Sequence, residues 1–355
     1  MSASPVAHSG PDLAALERFF CEVSVACQAA LNRAGIVRRL LQVGTLRVEV
    51  RFAGEPLACR LLPAFAHLAV DGEGTPDAVL GVWDVRSTGT ELPWPAWPGG
   101  TLVRGLISGY TGGAIRSALE PASSAFSVYH AARREGFFCV PDAATLHPHE
   151  SSFPLRTLMN WSLGGRGLQL IHAGAVGTSR GAALLAGMGG SGKSSTTLAC
   201  LDAGMLFAGD DFVAVDVAAV EAFSLYATAK LFRADLGRFP ALGASISHPG
   251  GDGDDKAVYF LHPQFRNQLV RSLTLRCLLL PRVSGAVQTF IKTATAAEAV
   301  RRMAPSTIIH LPGSGTEAFR AMAQLSARLP SYFLELGTDR AEVVGVIRNF
   351  LDEGP

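Results

Sequence analysis

Apolar positions at Leu13, Leu16, Phe19, Phe20, Val23 and Cys27 recur at helical spacing behind a capping Asp12, so the chain opens on one or two helices within residues 11–41. Residues 45–52 then alternate as a half-buried strand does, and further strands are predicted at 57–62, 78–85, 125–129 and 136–140. The proline- and tryptophan-rich stretch 93–100 interrupts any regular element and reads as a loop. After Pro154 the pattern changes. A helix at 155–163 is followed by strands at 169–173, 182–186, 205–207, 212–216, 273–280, 306–311 and 332–336, with helices at 194–203, 294–303, 316–327 and 339–351 among them. The expected organisation is an α+β domain over residues 1–153 and an α/β domain over 154–355.

Composition narrows the function classes. Hydrophobic residues make up 48% and charged residues 17% of the 355, which suits a packed core and not a disordered chain. A net charge of +1 offers no global footprint for nucleic acid or an anionic membrane, and no apolar run approaches the roughly 20 residues of a spanning helix. A cytoplasmic, homo-oligomeric protein is the expectation. The six cysteines are scattered without a C-x-x-C pair, so neither zinc nor a disulfide framework is indicated. Of the 31 basic residues only Lys193, Lys230, Lys256 and Lys292 are lysines, which marks them as places where a compact ammonium is preferred to a guanidinium.

The strongest chemical signal is Gly187-Met-Gly-Gly-Ser-Gly-Lys193-Ser194, a complete G-x-x-x-x-G-K-S between a predicted strand and a predicted helix. Gly187, Gly189, Gly190 and Gly192 let backbone N–H groups turn towards phosphate oxygens, with Ser191, Ser194 and Ser195 completing the cradle. Lys193 is expected on the β and γ phosphates of ATP, and the Ser194 hydroxyl on Mg²⁺. Gly209-Asp210-Asp211 follows after one helix, one turn and one short strand, enough chain to return a carboxylate to the phosphates. Such a pair can divide two tasks: Asp210 as the base that takes a hydroxyl proton, Asp211 on the metal side. His172, one element before the loop, can orient an acid of the pair.

Read together, Leu170-Ile-His-Ala-Gly-Ala-Val176, the P-loop and Asp202-Ala-Gly-Met-Leu-Phe-Ala-Gly-Asp-Asp211 resemble the catalytic domain of the bacterial HPr kinase/phosphorylase family. The chain also resembles a branch of HPr-kinase-like proteins associated with ribosomally made peptides such as lasso peptides. In that branch Ser224-Leu-Tyr-Ala-Thr-Ala-Lys230-Leu231 and Asp255-Lys256-Ala257 are the accompanying signatures. The resemblance spans about residues 154–351, with specific motifs from Leu170 to Lys256. It implies a P-loop kinase fold, use of ATP and Mg²⁺, catalytic roles for His172, Lys193 and Asp210, and transfer to a serine hydroxyl. The family's C-terminal signature is missing and residues 1–150 differ from its N-terminal domain, which argues against HPr as substrate.

Lys230 and Lys256 lie downstream of the acids, where a cation can offset phosphoryl charge, and Lys256 is expected at the nucleotide. Arg233 and Arg238 are nearby, with a solvated face as their simpler role, and 248–255 reads as a lid or acceptor loop. His147-Pro-His149-Glu150 is set aside as a ligand set because its proline rules out a helical face. Three functions remain: a kinase for a serine of a peptide or small protein, a kinase for a hydroxyl metabolite, and a nucleotide-gated binding module. Acceptor recognition is expected in the first half, at a sheet edge near 45–52 and at Trp83, Trp94 and Trp97.

Overall fold

The computed structural model describes residues 12–72, 74–94, 102–248, 256–285 and 287–355. Its first helix, Leu13–Ala34, starts where Asp12 accepts hydrogen bonds from the Ala14 and Ala15 N–H groups, and it ends at Gly35, whose φ of 81° leaves the helical region. The helix therefore stops short of residue 41. Ile36–Val43 is instead a strand, joined by the Gly44 turn to Leu46–Ala53 in an antiparallel hairpin. Residues 57–62 are also not a strand: Glu55–Leu61 is helical, with Pro56 in its first turn and Leu57, Ala58 and Leu61 buried along one side.

These elements build a sheet in the order Ile36–Val43, Leu46–Ala53, Ala78–Asp84, Glu135–Val140, Ala125–His130, Ile115–Glu120, Leu106–Ile107, Leu102–Val103. Leu46–Ala53 is an inner strand, and the edge belongs to Ile36–Val43. Trp83 is wholly buried with its indole N–H on the Thr90 carbonyl, Trp94 is half exposed against Phe126, and Trp97 lies outside the described residues.

A second sheet carries the C-terminal half. The long strand Ser272–Val283 joins its two arms, pairing through its first residues with Glu221–Phe223 and further along with Gly181–Ala186 and Ser331–Leu336. The predicted strand 169–173 is interrupted at His172. Leu168–Ile171 pairs with Val213–Asp216, whereas Ala173–Thr178 pairs with Gly181–Ala186 and Leu206–Gly209. Residues 306–311 are not a strand but mostly the end of the helix Ala296–His310, opened by a Thr295/Glu298 capping box. Its buried Ala299, Met303 and Thr307 repeat every four residues, which outweighs the local β-branched character of Thr307, Ile308 and Ile309.

The two halves share a core. Val50, Phe52 and Phe65 belong to one buried cluster with Leu158, Trp161, Leu170, Phe212 and Tyr226. The Tyr226 hydroxyl donates to the Pro154 carbonyl at 3.1 Å, which satisfies its one polar atom inside that cluster. Among the described residues no helix is long and apolar enough to cross a membrane.

Candidate functional site

Ala182–Ala186 are wholly buried between Ala173–Thr178 and Ser272–Val283, so the chain leaves the middle of a sheet at Gly187 and enters the helix Lys193–Asp202 six residues later. Two of the intervening glycines are needed for conformation, Gly190 at φ 79° and Gly192 at φ 92°. Gly192 is constrained twice, because a Cβ there would collide with the Leu336 side chain. The loop therefore wraps closely around the end of its own sheet.

Lys193, the first residue of the helix, is 6% exposed, and its Nζ lies 2.6 Å from Asp211 Oδ1 and 3.6 Å from Asp210 Oδ1. The acids sit where Leu206–Gly209 ends. The Phe212 N–H donates back to the Asp210 carbonyl at 2.9 Å, across an Asp211 with φ of 66°. A three-residue turn with positive central φ is rare and costs backbone energy. Its consequence is a division between neighbours: Asp210 is wholly covered, while Asp211 opens onto a cavity of about 520 Å³.

That cavity brings together most of the predicted site. Gly189, Gly190, Ser191, Gly192, Lys193, Ser194, Ser195, His172, Asp211 and Lys256 line it, whereas Gly187 and Asp210 lie behind its wall. His172 Nε2 is 3.3 Å from Asp211 Oδ1, and its backbone N–H donates to Thr307 Oγ1 at 3.1 Å, which holds the break between the two strands. Lys230 Nζ is 3.8 Å from Asp211 Oδ2. Lys230 and Lys256 stand on adjacent antiparallel strands, Thr228–Phe232 and Lys256–Phe260, and the Lys256 ammonium rests 4.8 Å from the centre of the Phe232 ring. Arg238 is exposed and paired with Asp235 at 3.0 Å, and residues 249–255 lie outside the described ones.

Pattern reading missed His149, Phe153, Phe212 and His310, all of which line the same cavity. His149 was set aside because of Pro148, yet that proline opens the short helix Pro148–Ser152, a position where its missing N–H costs nothing. His149 Nδ1 is 3.0 Å from Lys230 Nζ and its Nε2 is 2.7 Å from Arg156 Nη1. The His310 ring stands 5.1 Å from that of His172. No local motif marks these residues, because three separate segments deliver them.

The electrostatics follow from burial and from this pairing. Burial pushes the Asp211 carboxyl up, but Lys193, His172 and Lys230 outweigh it and hold its pKa well below the usual range. Asp210 goes the other way, raised by burial and by the Asp211 charge against the opposing pull of Lys193. Burial disfavours the Lys193 ammonium, yet the two carboxylates raise its pKa overall. Burial, then the neighbouring Lys230 and Arg156, lower His149 to about 2, so its imidazole is neutral. His172 is lowered by burial and by Lys193. Among the described residues, the Ser191 hydroxyl and both carboxylate oxygens of Asp210 are buried without a hydrogen-bond partner, although the Lys193 ammonium stands 3.6 Å from Asp210 Oδ1.

No family model matches the chain, and no curated protein matches it in sequence. Among solved structures it is similar to the HPr(Ser) kinase/phosphatase from Coxiella burnetii, at 10% identity and a TM-score of 0.28, over 52% of this chain and 97% of that one.

Proposed function

We propose that the chain is an ATP- and Mg²⁺-dependent phosphotransferase that moves the γ-phosphoryl group to a hydroxyl, that of a serine in a peptide or small protein. One observation carries this reading: a complete phosphate-binding loop opens on the same cavity as a carboxylate only 2.6 Å from the loop's own lysine. Lysine and carboxylate hold each other in the free protein, and a polyphosphate can take the carboxylate's place as the lysine's partner.

The residues suit magnesium. A covered Asp210 carboxylate whose oxygens have no hydrogen bond among the described residues, with the Ser194 hydroxyl at the start of the helix, offers the hard oxygen donors that this ion takes alongside phosphates and water. When bound, Mg²⁺ would offset charge on the β and γ phosphates. Sequence reading gives the base to Asp210 and the metal side to Asp211. Exposure favours the reverse, because an acceptor hydroxyl can meet Asp211 in the cavity but not the covered Asp210.

The transfer then runs as follows. Lys193 turns from Asp211 to the phosphates, leaving the Asp211 carboxylate free to accept the acceptor's hydroxyl proton while His172 Nε2 fixes its orientation. A bond forms between the acceptor oxygen and the γ-phosphorus, the bond to the β,γ-bridging oxygen breaks, and ADP leaves. Lys230, and Lys256 across the cavity, stabilise the charge on the transferring group.

The test uses full-length protein with radiolabelled ATP, Mg²⁺ and a serine-containing peptide library read by mass spectrometry. An added phosphate that disappears in Asp211→Asn supports the reading. Absence of ATP binding by calorimetry at millimolar nucleotide refutes it. Phosphorylation of a small-molecule hydroxyl is a second reading, favoured by a second cavity, open at its mouth, that shares His310 with this site.

A further inference from the structure

Behind the phosphate site lies a second cavity, of about 730 Å³, formed where the first half of the chain meets the helices Ala296–His310 and Gly315–Arg328. Its wall is largely apolar: Leu119 and Phe138 from the first half, with Ile308, Ile309 and Phe319 from the helices. Ile309 is 75% and Phe319 50% exposed, so apolar side chains also surround its mouth. The volume is that of an ordinary small-molecule site.

One side chain in this apolar setting is out of keeping with it. Arg156 lines the cavity at 8% exposure, and among the described residues its hydrogen bond is the 2.7 Å contact to His149. Its Nε is buried without a partner, and the nearest Glu120 oxygen is 3.6 Å from Nη2, too far for a hydrogen bond. A guanidinium has five N–H donors, and leaving them unmet in a buried place is costly. Glu150, also in the wall, is buried, accepts a hydrogen bond from the Ser123 hydroxyl at 3.2 Å, and has its pKa raised by that burial. Arg104 stands in the same lining.

We propose that this cavity binds a small molecule with an apolar body and a single carboxylate, the carboxylate seated on Arg156. A neutral apolar ligand would bury the guanidinium further without satisfying it. A dianion such as a phosphate monoester would meet Glu120 at close range with only one buried guanidinium to receive it. The site abuts the phosphoryl centre through Arg156 and His149, but its ligand chemistry stands apart from the phosphotransfer reading.

The test is calorimetry on the full-length protein without nucleotide, using octanoate, octan-1-ol and octyl phosphate as probes. Octanoate is expected to bind about ten- to a hundredfold more tightly than octan-1-ol, the scale of a charge-assisted hydrogen bond to a buried guanidinium. That preference should vanish in Arg156→Met, which keeps the apolar stem. Phe319→Asp, an exchange at an exposed ring, should weaken octanoate more than octan-1-ol, and it decides the matter if Arg156→Met fails to fold by circular dichroism. Equal binding of octanoate and octan-1-ol, octanoate affinity unchanged in the folded variants, or tighter binding of octyl phosphate would each overturn the proposal. Since no arm reads phosphoryl transfer, failure here is distinct from failure of the kinase reading.

Discussion

Lys193→Met removes an ammonium that lies within 4 Å of both carboxylates, at 2.6 Å from Asp211 and 3.6 Å from Asp210. Breaking a buried ion pair from one side costs about 3–5 kcal/mol, because a desolvated charge is left behind. Here the loss falls at the lower end, about 3 kcal/mol at pH 7.5, since Lys230 and His172 still face Asp211 and Asp210 can take up a proton. The pH dependence has a definite sign. In the parent protein Asp211 has a depressed pKa, so its stabilisation is complete above the unfolded value of about 3.9 and is lost as pH falls through the folded one. Without the lysine both acids titrate higher in the folded state, and their cost is relieved as pH falls. The deficit of the variant must therefore shrink from pH 7.5 to pH 4.5. Urea denaturation followed by circular dichroism at both pH values measures it, and adding Asp211→Asn should recover part of the loss. A deficit under about 1 kcal/mol at pH 7.5, or one that grows on acidification, would refute the argument from buried compensation.

Asp211→Asn should lower single-turnover phosphoryl transfer by about two to four orders of magnitude with ATP affinity little changed, whereas Asp210→Asn should mainly raise the Mg²⁺ concentration required; the opposite pattern would restore Asp210 as the base. Gly192→Ala should cost about 1–3 kcal/mol in urea denaturation, since it combines a positive φ with displacement of Leu336, and Gly189→Ala, where a Cβ meets open space, should cost less than about 1 kcal/mol in the same measurement. His67 and His149 have folded pKa values lowered to about 3 and 2, chiefly by burial, so the unfolded chain takes up protons that the native state refuses. Their contribution is complete above about pH 6.5 and falls below it by about 1.4 kcal/mol per pH unit for each group; imidazole signals of these residues that titrate near pH 6.5 by NMR would contradict this.

The phosphate loop was legible because its chemistry is local. Eight consecutive residues carry the glycines, the lysine and the serine, and the flanking apolar run and helix pattern supply their context. The same holds for the acid pair, whose distance along the chain suffices for one helix and one strand. Strands 45–52, 78–85 and 136–140 were readable within a residue or two, because alternation or continuous burial is written along a single segment. Where local preference and packing disagreed, pattern reading failed. Residues 306–311 hold β-branched side chains but lie mostly in a helix, because Ala299, Met303 and Thr307 bury one continuous face.

What the sequence by itself determined is therefore the identity of the phosphate-binding groups and the alternation of elements around them. Only the tertiary structure decided which acid opens on the cavity, since a positive φ at Asp211 turns two adjacent carboxylates to different surroundings. It also decided that His149, His310, Lys230 and Arg156 meet near His172, and that both halves of the chain share one core. The physical reason is distance along the chain. Those residues come from segments separated by up to about 160 positions, and the burial that lowers the histidine pKa values and the pairing that holds Asp211 ionised exist only once the segments are packed together.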